Sequence, residues 1–296
     1  MINYINNEKD IKSESSIFIF AFAGWPDAGQ SATNALKTLS DNLNAKKFAE
    51  IDSENFFNFS RERPLVYTEK EKRLLKWPSN EFFFVPKIIN NLDLVILNGI
   101  EPHLKWNTFG DLVIELSQKF NVELVITLGA LLDAIPHTRK PKLTITSTKN
   151  IPDKFSSKQY ERASYEGPTG ITSILLDKFS KIDISCLSIW AHTPHYLQAS
   201  PNPILSLALL NKLESEIGIK SDLTKLNSKA AKFRARLDNA ILQDSELNNY
   251  VKNLEERYDS SIPTFENTEE DVKLFHDLED FLKNVRSDEE NNEQNI

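Results

Sequence analysis

Short apolar runs alternate with amphipathic segments along most of this chain. Six runs rich in β-branched and aromatic residues predict β-strands, at 16–22, 82–85, 94–97, 122–128, 143–146 and 184–190. Three stretches whose apolar residues recur every three or four positions predict helices, at 32–39, 109–116 and 171–179. Strands that are apolar throughout must cover both of their surfaces. This order therefore predicts an α/β protein, a three-layer α/β/α fold with a mostly parallel sheet.

The pattern changes beyond Pro203, where strand-like runs give way to helical spacing. Apolar residues three or four apart predict helices at 204–217 and 223–254, and a break with Ser and Pro at 259–263 precedes a last amphipathic segment at 272–285. We expect four regions: a flexible N-terminus at 1–15, an α/β core at 16–220, a helical extension at 221–286 and a disordered acidic tail at 287–296.

The composition narrows the class of protein. Of the 296 residues 40% are hydrophobic, which is enough to bury a sizeable core. The chain has a single cysteine, Cys186, which lies inside an apolar run. One cysteine cannot form an intramolecular disulfide or a cysteine metal cluster. The start lacks the pattern of a secretion signal, and no run approaches the roughly 18 apolar residues of a membrane helix. We expect a cytoplasmic protein that does not associate with membranes.

The net charge of -8 is unevenly distributed. From Asp244 to the end there are 16 acidic and 5 basic residues, whereas the preceding part has 27 acidic and 30 basic residues. A near-neutral body without a basic helix or stripe has little electrostatic affinity for phosphates, so we expect no nucleic-acid partner. The acidic end is typical of a solvated helix face followed by a disordered tail.

Glycine and histidine concentrate in the loops that join the predicted strands to the following segments. In an open α/β sheet such loops gather along one edge, where ligands and partners bind. Aromatic residues, which protein interfaces favour, lie in or beside the same loops. We therefore predict ligand or partner binding for Gly24, Trp25, Asp27, Gly29, Glu101, His103, His137, Glu166, Gly167, Thr169, His192, His195 and Tyr196.

The first loop has glycines spaced as in a phosphate-binding loop. Gly24 and Gly29 are followed by Gln30 and Ser31, so the lysine of such a loop is missing, and Asp27 adds a negative charge. A nucleotide triphosphate would lose its main electrostatic partner there. The sequence favours a strand-to-helix turn in which Asp27 approaches a helix N-cap, with binding of a small anion as the weaker alternative.

The histidines allow a metal-site interpretation. His192 and His195, with Glu101 and His103 from another loop, have side chains suited to zinc. Their spacing is common in proteins, and Pro194 argues against a shared helix face. Packing and hydrogen bonding are the favoured roles, and we expect neither a metal nor a cofactor.

Catalytic groups are not evident in the sequence. There is no serine nucleophile elbow, and Cys186 lies in the middle of a predicted strand, where a thiol is usually structural. Glu166 could act as a general base in a pocket that raised its pKa, although a helix-capping carboxylate is far more common. We assign no catalytic residue.

Taken together, the loop motifs resemble the proteasome assembly chaperone 2 (PAC2) family over about 16–203. The motifs are Gly24-Trp25-Pro26-Asp27-Ala28-Gly29, Glu101-Pro102-His103 with Trp106, Leu128-Gly129-Ala130 continuing to Pro136-His137-Thr138-Arg139, Tyr165-Glu166-Gly167-Pro168-Thr169-Gly170 and Ala191-His192-Thr193-Pro194-His195-Tyr196. The closing helical portion is similar to that of bacterial members.

The resemblance implies a core of the phosphorylase/hydrolase type and self-association into small oligomers. For eukaryotic and archaeal relatives it implies a role in assembling proteasome α-subunits, and for bacterial relatives it implies no settled activity. Proteasome-docking relatives end in a hydrophobic residue, Tyr and any residue, whereas this chain ends Gln294-Asn295-Ile296. Docking through such a terminal motif is therefore not expected.

Three hypotheses of function follow. The leading one is a self-associating, protein-binding factor of assembly-chaperone type. The alternative is a small-molecule-binding enzyme or sensor that uses the strand-end loops with Glu166, His103 and His192. A third class is a scaffold that binds partners through the acidic helical end.

Overall fold

A computed structural model of the chain describes residues 1–5, 11–156, 158–197, 201–260 and 278. The strands are β1 (Ile2–Tyr4), β2 (Ser16–Ala23), β3 (Lys46–Ile51), β4 (Leu65–Glu69), β5 (Lys72–Lys76), β6 (Asn80–Ile89), β7 (Leu92–Ile100), β8 (Val122–Asp133), β9 (Leu143–Ser147) and β10 (Ser185–Pro194). The α-helices are α1 (Ser31–Asn42), α2 (Trp106–Lys119), α3 (Ile171–Lys181), α4 (Pro203–Ile217), α5 (Thr224–Gln243) and α6 (Ser245–Ser260).

Eight strands form one sheet in the order β1-β3-β6-β7-β2-β8-β10-β9. The four central strands β7, β2, β8 and β10 are parallel, and the outer pairings are antiparallel. The antiparallel pairing of β6 with β7 follows from the turn between them, where Asn90 and Asn91 have positive φ angles of 46° and 63°. Two such residues make a tight hairpin, which reverses the chain and excludes a parallel pairing. The predicted α/β class is confirmed, with a mixed sheet whose parallel part is central.

The two faces of β2 show how the layers form. Ile17, Ile19 and Ala21 pack into an aliphatic cluster with α1 and α4. The alternate residues Phe18, Phe20 and Phe22 pack into a phenylalanine-rich cluster with α2 and α3. The ring of Phe18 lies 6.0 Å from that of Phe179, and the ring of Phe22 lies 5.9 Å from that of Phe109. Side chains alternate between the faces of a strand, so an apolar run buries both faces only between two helix layers. This is the predicted three-layer arrangement.

Several elements differ from the sequence predictions. Strands β1 and β3, on one side of the sheet, and the hairpin β4–β5 were not predicted, and β1 falls within the segment that we expected to be flexible. The predicted helix over 223–254 is two helices, because Asp244 adopts an extended conformation and its side chain accepts hydrogen bonds from the amides of Glu246 and Leu247 at 2.9 and 3.0 Å. An acidic residue in this position caps a new helix.

The last predicted segments fall largely outside the described residues. Leu278, from the helix predicted at 272–285, is buried in a third cluster with α5 and α6, which also contains Tyr196 of the core. The rest of that helix and the tail at 287–296 lie outside the described residues. The predicted domain boundaries stay predictions. Among the described helices, none has the length and apolar character needed to cross a bilayer.

Cys186 lies in the phenylalanine-rich cluster, on the face of β10 that α3 covers. Its sulfur is buried, and this burial raises the pKa of the thiol to about 12. The thiol is therefore a small apolar side chain of the core, as its position in the sequence predicted.

Two leucines test how strongly the buried strands determine stability. Leu97 in β7 is fully buried, whereas Leu242 in α5 is 68% exposed. We expect Leu97→Ala to lower the free energy of unfolding by about 2–5 kcal/mol, because it removes buried methyl groups and leaves a cavity. Leu242→Ala is the matched control and should change it by less than about 0.5 kcal/mol. Urea denaturation measures both values, and equal losses would contradict the assigned core.

Candidate functional site

The carboxyl ends of the four parallel strands meet at one edge of the sheet. Ala23 at the end of β2 pairs with Ile100 at the end of β7, and Asp133 at the end of β8 pairs with Pro194 at the end of β10. The loops that follow these strands therefore converge, as the sequence predicted. We call this region the carboxyl edge.

The first loop is held rigidly at the carboxyl edge. Its backbone turns at Gly24, where φ is 114°, a conformation that L-residues with side chains rarely adopt. The Ala130 amide donates a 2.9 Å hydrogen bond to the Pro26 carbonyl. The buried Asp27 carboxylate accepts hydrogen bonds from the Ala32 and Thr33 amides at 2.7 and 3.3 Å. Because Asp27 bonds amides of the first turn of α1, the loop is a helix-capping turn.

Opposing effects act on the Asp27 carboxyl. Burial raises its pKa, and the hydrogen bonds from the Thr33 hydroxyl and from the amides of Ala32 and Thr33 act in the opposite direction. Gly29, two residues further along the loop, has a φ of 61°, and its carbonyl accepts a 2.8 Å hydrogen bond from the amide of Asn202. Asn202 in turn caps α4 through its side chain. Asp27 and Gly29 thus connect the loop to two helices of the same layer.

Glu101, Gly170 and Trp25 form a second contact group, which we call the Trp25 platform. The Glu101 carboxylate accepts a 2.9 Å hydrogen bond from the amide of Ile171, the first residue of α3. A Cβ atom at Gly170 would lie 2.5 Å from the Glu101 oxygen and 3.2 Å from the indole of Trp25, so a side chain there would displace the Glu101 carboxylate. Trp25 is 64% exposed. The platform therefore presents an aromatic ring to solvent on a fixed base.

His192 is a hydrogen-bonding residue at the ends of β8, β9 and β10. Its Nδ1 lies 2.7 Å from Asp133 Oδ2, and its Nε2 lies 2.7 Å from the Thr144 hydroxyl. The carboxylate can only accept, so Nδ1 carries a proton and donates it to Asp133. The His192 hydrogen bond and the Lys142 ammonium lower the pKa of Asp133 to about 2, against the opposing effect of burial.

His137 and Tyr196 connect the carboxyl edge to the helical extension. The Tyr196 hydroxyl accepts a 2.7 Å hydrogen bond from the His137 amide and lies 2.8 Å from His137 Nδ1. His137 Nε2 lies 3.1 Å from the Asp238 carboxylate on α5. Since that carboxylate can only accept, Nε2 carries the ring proton and Nδ1 accepts from the hydroxyl. Burial, and then the charge of Arg234, lower the pKa of His137 to about 4, so the imidazole is neutral at pH 7.

Further contacts from α6 complete this attachment. His195 Nε2 lies 2.6 Å from the Tyr250 hydroxyl, and its Nδ1 lies 3.2 Å from the Asp133 carbonyl. Arg139 pairs with Asp259 at 2.6 Å and with Glu255 at 3.2 Å. Tyr250 follows His195 by 55 positions in the sequence, and Asp259 follows Arg139 by 120 positions. No local motif links them, which is why the sequence did not identify Asp238, Tyr250, Glu255 or Asp259 as their partners.

The other predicted site residues make local contacts of their own. His103 accepts a 3.1 Å hydrogen bond from the Asn58 amide and packs against the ring of Phe57. Glu166 and Gly167 lie on an exposed loop before α3, and the Thr169 hydroxyl on that loop donates to Ser173. His103 and His192 thus bond to different partners, and Glu166 is exposed.

A small crevice lies beside the histidines of the carboxyl edge. The crevice lined by His137, His192 and Arg234 has a volume of about 20 Å³, which is the size of a water molecule. Both ring nitrogens of His137, His192 and His195 have hydrogen-bond partners. Within the described part of the chain, no three His, Cys, Asp or Glu residues are grouped as metal ligands.

Comparison with known proteins assigns this arrangement of loops to a family. The model of the PAC2 family matches residues 21–241, which include every loop of the carboxyl edge. The chain belongs to the PAC2 family. The resemblance inferred from the loop motifs is therefore confirmed, and α6, with its contacts to His195 and Arg139, follows the matched region.

Solved structures of PAC2 relatives have the same fold. A PAC2 family protein from Streptomyces avermitilis is 35% identical, with a TM-score of 0.71 over 80% of this chain and 99% of that chain. A proteasome-assembly chaperone homologue from Mycobacterium tuberculosis is 30% identical, with a TM-score of 0.70 over 79% and 99% of the two chains. PbaB of Pyrococcus furiosus, an archaeal proteasome activator, is 20% identical over 81% and 98%, and its TM-score of 0.62 shows a common fold. No curated protein matched the sequence.

The lowered pKa of His137 predicts a specific dependence of stability on pH. In the unfolded chain this imidazole has an ordinary pKa near 6.5, so between pH 6.5 and 4 the unfolded state binds a proton that the folded state excludes. The unfolding free energy therefore falls as the pH is lowered through this window, by at most about 1.4 kcal/mol per pH unit from this group.

Urea denaturation of the wild type and of His137→Gln between pH 7.5 and 4.5 measures this contribution. The variant is expected to be less stable at pH 7, because it leaves the Tyr196 hydroxyl without its imidazole partner, and to lose stability less steeply below pH 6.5. Parallel profiles for the two proteins would show that His137 is not held neutral.

Proposed function

We propose that this protein is a protein-binding, assembly-chaperone-like factor of the PAC2 family, which self-associates into small homo-oligomers and binds its partner through the Trp25 platform. We also propose that it acts in the cytoplasm, since a single buried thiol is typical of proteins from reducing compartments. The observation that carries the proposal is an exposed tryptophan on a rigid base.

An exposed tryptophan held in one position has the properties of an interface anchor. Trp25 lies between Gly24, where the chain turns with a positive φ, and Pro26. The Pro26 carbonyl and the Asp27 carboxylate are both hydrogen-bonded to the core. Tryptophan is enriched among the residues that dominate binding energy. A loop whose backbone is already held by hydrogen bonds loses little conformational entropy on binding, which increases affinity. Tyr165, 69% exposed on the loop before α3, adds a second aromatic ring.

The small crevice near His137 and His192 also supports a protein partner over a small molecule. Sites for small molecules are clefts of about 300–1,000 Å³, whereas the crevice near His137 and His192 has a volume of about 20 Å³. His137 and His195 bond to Asp238 and Tyr250 of the helical extension, and His192 bonds to Asp133 at the end of β8, so the histidines already have partners within the chain. The alternative of an enzyme or sensor needs Glu166, His103 and His192 to act together, and each is engaged in a different part of the edge or exposed.

The relatives support the same class of function. The Mycobacterium tuberculosis relative, 30% identical over most of this chain, is a proteasome-assembly chaperone homologue. Chaperones of assembly bind other proteins through their surfaces, which needs an exposed anchor rather than a catalytic constellation. The partner of this chain is therefore proposed to be a protein, with no nucleic acid and no membrane involved.

A substitution at the platform tests this function. We expect Trp25→Ala to reduce capture of the partner by roughly 30-fold or more, because hot-spot residues contribute at least about 2 kcal/mol to binding. The measurement is native affinity purification from the source cells with quantitative mass spectrometry. Tyr258→Ala removes an exposed aromatic residue from α6, remote from the platform in the sequence, and is the matched control that should retain the partner.

Two outcomes would contradict the proposal. One is recovery of the chain alone, with no partner for the wild type. The other is equal recovery of the partner with Trp25→Ala, Tyr258→Ala and the wild type. Circular dichroism and thermal unfolding confirm that each variant is folded before binding is compared.

A further inference from the structure

The hairpin formed by β4 and β5 stands apart from the rest of the molecule. It is a separate two-stranded sheet, and every residue from Leu65 to Lys76 is exposed. Its turn residues Lys70 and Glu71 have φ angles of 46° and 64°, the conformation of a tight two-residue turn. An isolated hairpin of two strands is at best marginally stable in water, so such an element gains stability by packing against another surface.

Both faces of the hairpin carry large apolar side chains. Tyr67 and Leu74 are paired on one face, and Val66 and Leu75 are paired on the other. The exposed fractions of these side chains lie between 36% and 57%, and that of Leu65 is 63%. A hairpin that covered its own domain would be apolar on one face and polar on the other. Apolar residues on both faces indicate that the hairpin inserts between surfaces or into a cleft.

The hairpin is also basic. Between 61 and 76 the sequence has six Lys or Arg residues and three acidic residues. Lys72 and Arg73 follow the tip directly and are exposed. A surface that binds this hairpin should therefore combine acidic groups with apolar contact area.

An acidic cleft that includes the exposed ring of Trp77 lies at the foot of the hairpin, beside strands β1 and β3. Its volume is about 420 Å³. The acidic residues that line it are Glu50, Asp52, Glu54 and Glu81, and the lining includes Lys76, at the end of the hairpin itself. Lys47 pairs with Glu50 and Glu81 at 2.7 and 2.6 Å, so the negative charge of the cleft comes mainly from Asp52 and Glu54. The ring of Trp77, 5.0 Å from that of Phe59, joins the foot of the hairpin to the cleft.

We infer that the basic hairpin of one copy docks into the acidic cleft of a second copy, and that the second copy returns the same contact. The two complementary surfaces are adjacent on one chain, so a two-fold axis beside Trp77 would bring each hairpin over the cleft of the other chain. Such a reciprocal contact closes on itself and limits the assembly. The inference rests on the self-association proposed above and names the surface that produces it.

Oligomeric state measured on the full chain tests the inference. Sedimentation equilibrium and light scattering should show that Leu75→Asp raises the dissociation constant of self-association by roughly 30-fold or more, since a charge replaces a central apolar contact. Leu75 is exposed, so the substitution should not affect folding. Leu242→Asp places the same charge at an exposed leucine of α5 and should leave the dissociation constant unchanged.

A charge exchange identifies the occupant as a second copy. The pair Lys72→Glu and Arg73→Glu makes the hairpin acidic, and the pair Asp52→Lys and Glu54→Lys makes the cleft basic. Each double variant should be monomeric alone, because its hairpin and cleft repel. Mixed together they should form a 1:1 complex, in which both hairpins meet clefts of opposite charge.

The outcomes separate this inference from the proposed self-association. Wild-type protein that is monomeric in solution would overturn both. Oligomers that persist unchanged in Leu75→Asp and in the charge variants would overturn the hairpin inference and leave self-association intact. Monomeric charge variants that do not combine on mixing would show that the hairpin does not dock in the cleft of a second copy.

Discussion

The burial of both faces of the central parallel strands determines most of this structure. In β2 the aliphatic side chains of Ile17 and Ile19 point to one helix layer, and the rings of Phe18 and Phe20 point to the other. A parallel strand cannot be connected to its neighbour by a short turn, so the chain must cross one face of the sheet each time. All connections that leave these strands therefore begin at the same edge, where the family's glycine and histidine motifs converge.

At that edge the polar residues serve two separate purposes. Asp27 and Glu101 bond the first amides of α1 and α3, and so position the loop that exposes Trp25. His137 and His195 instead bond to α5 and α6, and they are covered by these helices. Asp27 is as buried as these histidines, so the difference lies in what each group positions, an exposed aromatic loop or a covering helix. This division makes the platform the better candidate for binding and the histidines the better candidates for stability.

The sequence predicted the parts of the fold that depend on local pattern. The strand at 122–128 was identifiable because a short, mainly apolar run rich in β-branched residues favours a buried strand over a helix. The hairpin was missed because its apolar residues face outwards on both sides and follow no single buried face. The break at Asp244 was missed because the apolar spacing continues across it. The role of His137 could not be predicted, because its partner Asp238 lies 101 positions away and only the folded chain brings them together.

The burial of Cys186 has a practical consequence. A thiolate is the species that reacts with alkylating reagents and oxidants, and a thiol whose pKa is raised to about 12 forms very little of it at neutral pH. As this is the single sulfhydryl of the chain, its chemical labelling reports on one location, the packing of α3 against β10. Modification of the native protein would proceed only through transient opening of that layer, which turns the side chain into an intrinsic probe of sub-global unfolding.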